Sequence, residues 1–297
     1  MNNMYYDKNT IIFHNGNFIK AQDAVTDLYA QSLHYGNSVF DAMRAYDTPL
    51  GLHIFKARSH YDRFKQAAEK MHMKIDYTVD ELVGITYHLL ELNNMTNAYI
   101  RPMIYLGANM ELVPSGQINL FIGAWKWDKY LGKDLLNVTI SSYTRPKSPL
   151  MEAKISGHYV TSILALTEAK KNGYDAALML DEQGNVAEGS GCNVFFEKNG
   201  KLYTPPRGNI LPGITRATVF ELAKELDIEV VEAPLKPEEL VDLDSAFFTG
   251  TAAEITGFNT LNRKKFKKEW EDSLGYVIEQ RFAQRVTQNE YDNYSII

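Results

Sequence analysis

Lys154 lies among apolar and small residues, Met151-Glu-Ala-Lys-Ile-Ser-Gly157, at the junction between an irregular segment and a following helix. A partly desolvated lysine has a lowered pKa and becomes nucleophilic toward aldehydes. Lysines are ordinarily solvated surface charges, however, and the neighbours of Lys154 alone do not single it out among the 31 basic residues. A second feature is Leu211-Pro-Gly-Ile-Thr-Arg216, where a proline-glycine turn directly precedes a strong helical pattern. The N–H groups of Ile214 and Thr215, with the positive end of the helix dipole, can hold a phosphate there. The same residues also read as an ordinary helix start. Phe247-Phe-Thr-Gly-Thr-Ala-Ala253 reads as a buried strand ending in a glycine-threonine turn. Backbone N–H groups at such a turn can bind a phosphate or a carboxylate.

Other chemistries find little support. The seven histidines are scattered, with no HExxH and no clustered Cys/His spacing, so no metal site is expected. His53, His60, His72 and His88 read as solvent-facing or helix-surface residues. No G-x-S-x-G occurs, and the nearest run, Glu188-Gly-Ser-Gly191, has a different spacing, which argues against a Ser-His-Asp hydrolase. The single cysteine, Cys192, excludes an intramolecular disulfide and fits a reducing compartment. A net charge of −6 argues against a general attraction to nucleic acid or anionic membranes. Met1 to Ile12 is polar and tyrosine-rich and does not read as a secretory signal. No apolar stretch approaches the ~18 to 20 residues that span a bilayer. A soluble, cytoplasmic protein is expected.

The elements that must position these residues follow from turn and cap signals. With 297 residues the chain exceeds the usual single-domain length, and its 45% hydrophobic and 23% charged content is that of an ordinary folded protein. In TIIFHNGNFIK, Asn15-Gly16 supplies the tight turn of a hairpin. A strand near Ser38 to Ala45 follows; Ser59 then stands as N-cap of one helix, and Thr78-Val-Asp-Glu81 forms a capping box for a second. Ala98 to Tyr105 and Ile118 to Ala124 read as strands. The strand LLNVTISSY opens the second half, and an irregular run holding Pro146 and Pro149 leads to a helix near Gly157. Asp175 to Leu180, Cys192 to Glu197 and Lys201 to Thr204 read as successive antiparallel strands. A helix at Ile214 to Leu226, a strand at Glu229 to Ala233, a short acidic helix after Pro237, a strand at Ser245 to Thr249 and a helix from about Lys268 to Gln288 complete the chain. This mixture predicts a two-domain α+β protein, with a small α/β domain over 1–125, a linker over 126–136 and a larger domain over 137–297.

Read in order, EAKISGHYVTSILALTEAKKNGYDAALMLDEQGNVAEGSGCNVFF, LYTPP, LPGITR and FFTGTAAEI resemble the fold-type IV pyridoxal-phosphate enzymes, and branched-chain amino-acid aminotransferases in particular. LHYGNSVFDAMR, IFKARSHYDRF, NAYIRP and WKWDKYLG extend the match over nearly the whole chain apart from its last ~20 to 30 residues. The resemblance implies a larger domain with a β-barrel-like core flanked by helices that binds pyridoxal 5′-phosphate. It implies that Lys154 holds the cofactor covalently and shuttles the proton at the substrate's α-carbon. Glu188 would pair with the pyridine nitrogen, and Tyr159 would bond the phenolic oxygen. Arg58, Gly213, Ile214, Thr215 and the Thr251 hydroxyl would fix the phosphate, and Leu211 would pack on the ring. For the substrate, Tyr35, Phe40, Trp127 and Tyr130 would form the side-chain pocket. Tyr99, with the N–H groups of Thr251 and Ala252, would bind the α-carboxylate, and Arg101 the distal carboxylate of glutamate. The loop Asn109-Met-Glu-Leu112, through Met110 and Leu112, would complete the pocket from the partner subunit of a homodimer.

The implied activity is ping-pong amino transfer between branched-chain or other hydrophobic L-amino acids and 2-oxoglutarate, as in branched-chain amino-acid biosynthesis. The usual glutamate-glycine pair of the VFEGxR motif is Asp41-Ala42 here, and the added methyl of Ala42 could narrow the pocket. A D-amino-acid or (R)-amine transaminase is the competing reading, since the cofactor machinery is shared and only the pocket differs. A lyase of aminodeoxychorismate type and a non-catalytic phosphate-binding protein fit less well. Mere phosphate binding would require neither Lys154 nor Glu188.

Overall fold

In the computed structural model, residues 5–127 and 133–288 are described. The chain divides into two compact units, Met1–Trp127 with Ala153–Gly157 and Val286–Ile297, and Asp128–Glu152 with His158–Arg285. The first unit therefore takes in the segment that carries Lys154, which lies well past the boundary expected from sequence.

In the first unit, Asn15 and Gly16 both adopt positive φ (48° and 87°) and close the hairpin of β1 (Ile11–His14) and β2 (Asn17–Lys20). After α1 (Gln31–Tyr35), β3 (Val39–Phe40) and β4 (Met43–Thr48) are separate strands rather than one. The break falls at Asp41-Ala42, where the Asp41 N–H donates to the Pro102 carbonyl and the Ala42 N–H to Asp41's own carboxylate. β5 (Gly51–Ile54) returns along β4 and leads into α2 (Ala57–Lys70). That helix begins two residues before Ser59, the expected N-cap: Lys56, at φ 49°, makes the turn out of the hairpin and leaves Ser59 inside the first helical turn. At α3 (Val79–Leu92) the expected capping box is present, Thr78 and Glu81 each accepting the other's backbone N–H.

β6 (Ala98–Leu106) and β7 (Ile118–Trp125) complete a seven-stranded sheet of order β2-β1-β7-β6-β4-β5, with β3 also on β6. Every pairing within it is antiparallel. Along β6, Ile100, Ile104 and Leu106 are fully buried, while Arg101, Met103 and Tyr105 stay partly exposed, the alternation of a strand with two different faces. α3 packs on β1 and β7, and α2 on α3 and β3. Their apolar stripes, Tyr61, Phe64, Ala67 and Ala68 on α2 and Leu82, Leu89 and Leu90 on α3, form the core there.

The second unit is built on an eight-stranded mixed sheet. In chain order its elements are β8 (Leu135–Ile140), α4 (Tyr159–Lys171), β9 (Ala176–Leu180), β10 (Val186–Gly189), β11 (Asn193–Lys198), β12 (Lys201–Thr204), α5 (Ile214–Glu225), β13 (Val230–Glu232), β14 (Ser245–Gly250), β15 (Glu254–Leu261) and α6 (Leu274–Thr287). The order is β10-β9-β8-β15-β14-β11-β12-β13, and the sheet curls into a half-barrel. Leu136, Val138, Leu178, Val194, Phe196 and Phe248 lie in one core cluster, which also takes in Cys192 as a small buried residue. α4 packs on β9 and α5 on β14.

Sequence reading did not anticipate β10 or β15, and β9 pairs with β10 and β8 rather than with β11. α6 starts at Leu274, later than expected, because Trp270–Asp272 forms a separate 3-10 turn. Trp270 fits only because its neighbours lack side chains: a Cβ on Gly257 or Gly275 would come within 2.5 Å of the indole. No helix among the described residues is long and apolar enough to cross a membrane.

Candidate active site

Lys154 sits in a short antiparallel ladder within the first unit. Its carbonyl accepts the Phe40 N–H at 3.1 Å, Ile155 bridges to Val39, and the N–H groups of Ser156 and Gly157 donate to the carbonyls of Ser38 and Gly36 at 2.8 Å each. The Ser38 and Ser156 hydroxyls add a side-chain hydrogen bond at 2.6 Å. An irregular segment thus gains the definition of a strand, and the lysine side chain emerges over the Phe40 ring, its Nζ 4.9 Å from the centroid. Lys154 keeps partial exposure. Desolvation of its amine, followed by the Arg63 cation, lowers its pKa from the usual lysine value to about 8.

Several residues expected around the substrate lie on the same unit. Arg101 lies over Phe40 at 4.5 Å and donates to the Tyr99 hydroxyl at 3.0 Å. Tyr99 packs against Trp127 (centroids 4.9 Å apart) and Trp125 (5.1 Å), and Arg44 donates to the Trp127 carbonyl at 3.1 Å. Strand alternation explains the grouping, since Tyr99 and Arg101 are two apart on β6. Tyr35 forms a second group with the loop after β6, donating through its hydroxyl to the Met110 carbonyl at 3.2 Å. Met110 and Leu112 on that loop are exposed. Tyr130 lies outside the described residues. Arg58, in the first turn of α2, is paired with Asp80 of α3.

Ala42 is buried beside a charged cluster that sequence reading missed. The carboxylate of Asp41, wholly buried, accepts from Arg63 Nε and a terminal Arg63 nitrogen at 2.8 Å each, and from His60 Nδ1 at 2.7 Å. Burial alone would raise the Asp41 carboxyl, but the Arg63 cation and these hydrogen bonds hold it far below the usual carboxylate range. Burial lowers the His60 pKa and outweighs the opposing pull of Asp41. His60 and His53 are both buried, which corrects their reading as surface residues. For His60 a signal existed: it shares the helical stripe of Tyr61, Phe64 and Ala67.

In the second unit, Glu188 on β10 is buried and held from several sides. Arg145 pairs with one carboxylate oxygen at 2.8 Å, while the other accepts from the Asn193 amide and the Leu211 N–H at 3.1 Å each. Arg145, also buried, lies in the irregular run before Met151, where no local pattern marks it. Asn193 also donates to the Leu211 carbonyl at 2.9 Å, tying the proline-glycine turn to β11. Gly213 is the N-cap of α5, no side chain caps that helix, and the N–H groups of Ile214 and Thr215 stand in its first turn. A Cβ at Gly213 would lie 2.0 Å from Asn193 Oδ1, so only glycine fits. An uncapped helix N-terminus with close backbone access suits a phosphate dianion. Thr251 and Ala252 form the turn between β14 and β15, and Tyr159 is the first residue of α4. Among the described residues no group of His, Cys, Asp and Glu is arranged to hold a metal ion.

The chain as a whole is similar to known proteins. Residues 38–260 match the amino-transferase class IV family. The branched-chain-amino-acid aminotransferase of Pseudomonas aeruginosa is 42% identical over 267 residues, covering 87% of each chain. The crystal structure of the Escherichia coli branched-chain amino acid aminotransferase superposes with a TM-score of 0.91 at 34% identity, covering 97% of this chain and 98% of that one. The T.th. branched-chain amino acid aminotransferase complexed with N-(5′-phosphopyridoxyl)-L-glutamate gives a TM-score of 0.90 at 34% identity, covering 97% of both chains. With the family match spanning residues 38–260 and these identities held over most of each chain, the chain belongs to the class IV aminotransferases, among the branched-chain amino-acid aminotransferases.

Proposed function

We propose that the protein transfers the amino group between branched-chain or related hydrophobic L-amino acids and 2-oxoglutarate, with pyridoxal phosphate as its cofactor. The observation that carries this reading is the aromatic wall of the first unit. Phe40, Tyr99 and Trp127 offer apolar surface to a branched side chain, and Arg101, over Phe40 at 4.5 Å, supplies a cation to the distal carboxylate of glutamate. One surface thereby serves two unlike substrates. The ligand of the T.th. relative, which joins a phosphopyridoxyl group to L-glutamate, supports both the cofactor and the acceptor pair.

When bound, pyridoxal phosphate supplies the electron sink that lets the α-C–H bond of an amino acid ionise. Lys154 would hold the cofactor through Nζ and would take the proton from the donor's α-carbon. In the second half of the ping-pong cycle the same nitrogen would deliver a proton to the acceptor's 2-carbon. Glu188, positioned by Arg145, Asn193 and the Leu211 N–H, keeps a proton on the ring nitrogen. Tyr159 would donate to the phenolic oxygen, and Leu211 would pack on the ring. The N–H groups of Ile214 and Thr215, the Thr251 hydroxyl and Arg58 would hold the phosphate, with Gly213 leaving the approach open. Tyr99 and the N–H groups of Thr251 and Ala252 take the α-carboxylate. Tyr35, Phe40, Ala42 and Trp127 would surround the side chain.

The working unit in this reading is a homodimer in which Met110 and Leu112 complete the partner's pocket. Exposed Val25, Leu28, Tyr29, Leu33, Leu112 and Val113 support it, as apolar surface of this kind marks a protein interface. A single, buried cysteine, which forms no disulfide within the chain, is consistent with a cytoplasmic protein. Initial rates with L-leucine, D-alanine and (R)-1-phenylethylamine, each with a 2-oxo acceptor, test the assignment. L-leucine with 2-oxoglutarate is the expected fast pair. Negligible turnover of L-leucine beside rapid turnover of either other donor would replace it with a D-amino-acid or (R)-amine transaminase.

A further inference from the structure

We infer that Asp41, clamped by His60 and Arg63, is the positioning residue for Lys154, fixing the strand against which the lysine's backbone is paired and balancing the Arg63 cation that acts on the lysine amine. This inference rests on Lys154 being the cofactor-binding lysine. Phe40, whose N–H bonds the Lys154 carbonyl, is followed directly by Asp41, whose N–H bonds the Pro102 carbonyl of β6. The ladder holding Lys154 therefore ends on a residue pinned by main chain to the sheet and by side chain to α2. The clamp is stiff, because Arg63 meets the carboxylate with two nitrogens and the Ala42 N–H and His60 Nδ1 share one of its oxygens. Since the carboxylate can only accept, His60 carries its proton on Nδ1.

The cluster also sets the charge around the amine. The groups acting on Lys154 are Arg63, Asp41, Tyr99 and Arg101, and His60 is coupled to it as well. Arg63 and Arg101 disfavour its protonated form, whereas Asp41 and Tyr99 favour it. Without Asp41, a charge that favours the protonated amine is lost while Arg63 still opposes it. Lysine deprotonation would become easier, while the ladder lost its anchor. The two consequences pull measurable quantities in different directions, which separates this role from simple structural support.

Trace acetylation of the full-length, cofactor-free protein across a pH series, read by mass spectrometry on the peptide carrying Lys154, reports the ionisation of that amine directly. Asp41→Asn should lower the midpoint by about 0.5 to 1 pH unit, and Arg63→Met should raise it by a similar amount. A merely structural role would open the site in both variants, and both midpoints would rise toward the ordinary lysine value of about 10.4. A rise or no change in Asp41→Asn overturns the inference. Should Asp41→Asn fail to fold, the double variant Asp41→Asn/Arg63→Met, which removes both charges, carries the test. Its midpoint should return to within about 0.5 unit of the parent, and a climb toward the ordinary lysine value would refute the role. Assaying the parent protein with L-leucine in parallel keeps the readings apart: opposite midpoint shifts without transamination would uphold the cluster's effect and reject the proposed activity.

Discussion

Desolvation and the Arg63 cation lower the Lys154 pKa to about 8, so its amine passes from mostly protonated to mostly neutral as the pH rises through that value. Only the neutral amine attacks an aldehyde. The rate at which the cofactor-free protein captures pyridoxal phosphate should therefore rise with pH and level off above about 8, rather than climbing to the ordinary lysine value of about 10.4. Stopped-flow absorbance measures this, and a midpoint near the ordinary value would mean that the site does not desolvate the amine. Glu188 depends in a comparable way on Arg145, its buried cationic partner at 2.8 Å. Arg145→Met leaves a buried carboxylate without that cation and should cost about 3 to 5 kcal/mol of unfolding free energy in guanidinium titrations. Bound cofactor should recover part of the loss, because a protonated ring nitrogen supplies a substitute cation and ligands stabilise the state that binds them. Equal destabilisation with and without cofactor would argue that Glu188 does not meet the ring nitrogen.

Two helix starts show how differently backbone donors can be used. At α3 the Thr78–Glu81 box satisfies its own N–H groups, so Thr78→Ala should cost about 1 kcal/mol of stability. At α5 no side chain caps the helix and Gly213 leaves its first turn accessible. Gly213→Ala would drive a methyl into Asn193 Oδ1, displacing the turn and the amide that also holds Glu188. Weakening of pyridoxal-phosphate binding by about ten- to a hundredfold is expected in fluorescence titrations, the loss of one or two charge-assisted hydrogen bonds. Unchanged affinity would remove the α5 N-terminus from the phosphate site. Much of this level was legible from sequence: the Asn15-Gly16 hairpin, the capping box and the LPGITR helix start are local chemistry. β10 was not, because a four-residue buried strand such as VAEG has too short a pattern to be distinguished from a turn, and β15 was not, because EITGFNTL shows no apolar-polar alternation and is interrupted by Gly257.

At the level of the folded chain, the exposed apolar residues of α1 and its flanks, with Leu112 at 83% and Val113 at 62% exposure, call for a covering surface. α4 likewise exposes Val160, Ile163 and Leu164. Light scattering should give twice the chain mass, and Leu112→Asp combined with Val113→Asp should shift the protein toward monomer with loss of turnover. A parent protein that is monomeric and fully active would dismiss a pocket completed by a partner. The family, the cofactor chemistry and the candidacy of Lys154 as the cofactor's anchor could be read along the chain, because these reside in the order of short motifs whose residues are chain neighbours. What surrounds that lysine and its counterpart carboxylate emerged with the folded molecule. Asp41, at the break between β3 and β4, meets His60 and Arg63 of α2, Arg145 of an irregular run meets Glu188 of β10, and Phe40 meets the Lys154 backbone in a ladder. Such partners lie far apart along the chain, so no local periodicity encodes them. Strand pairing and burial bring them together, and burial gives their charges the strength that solvent would otherwise screen.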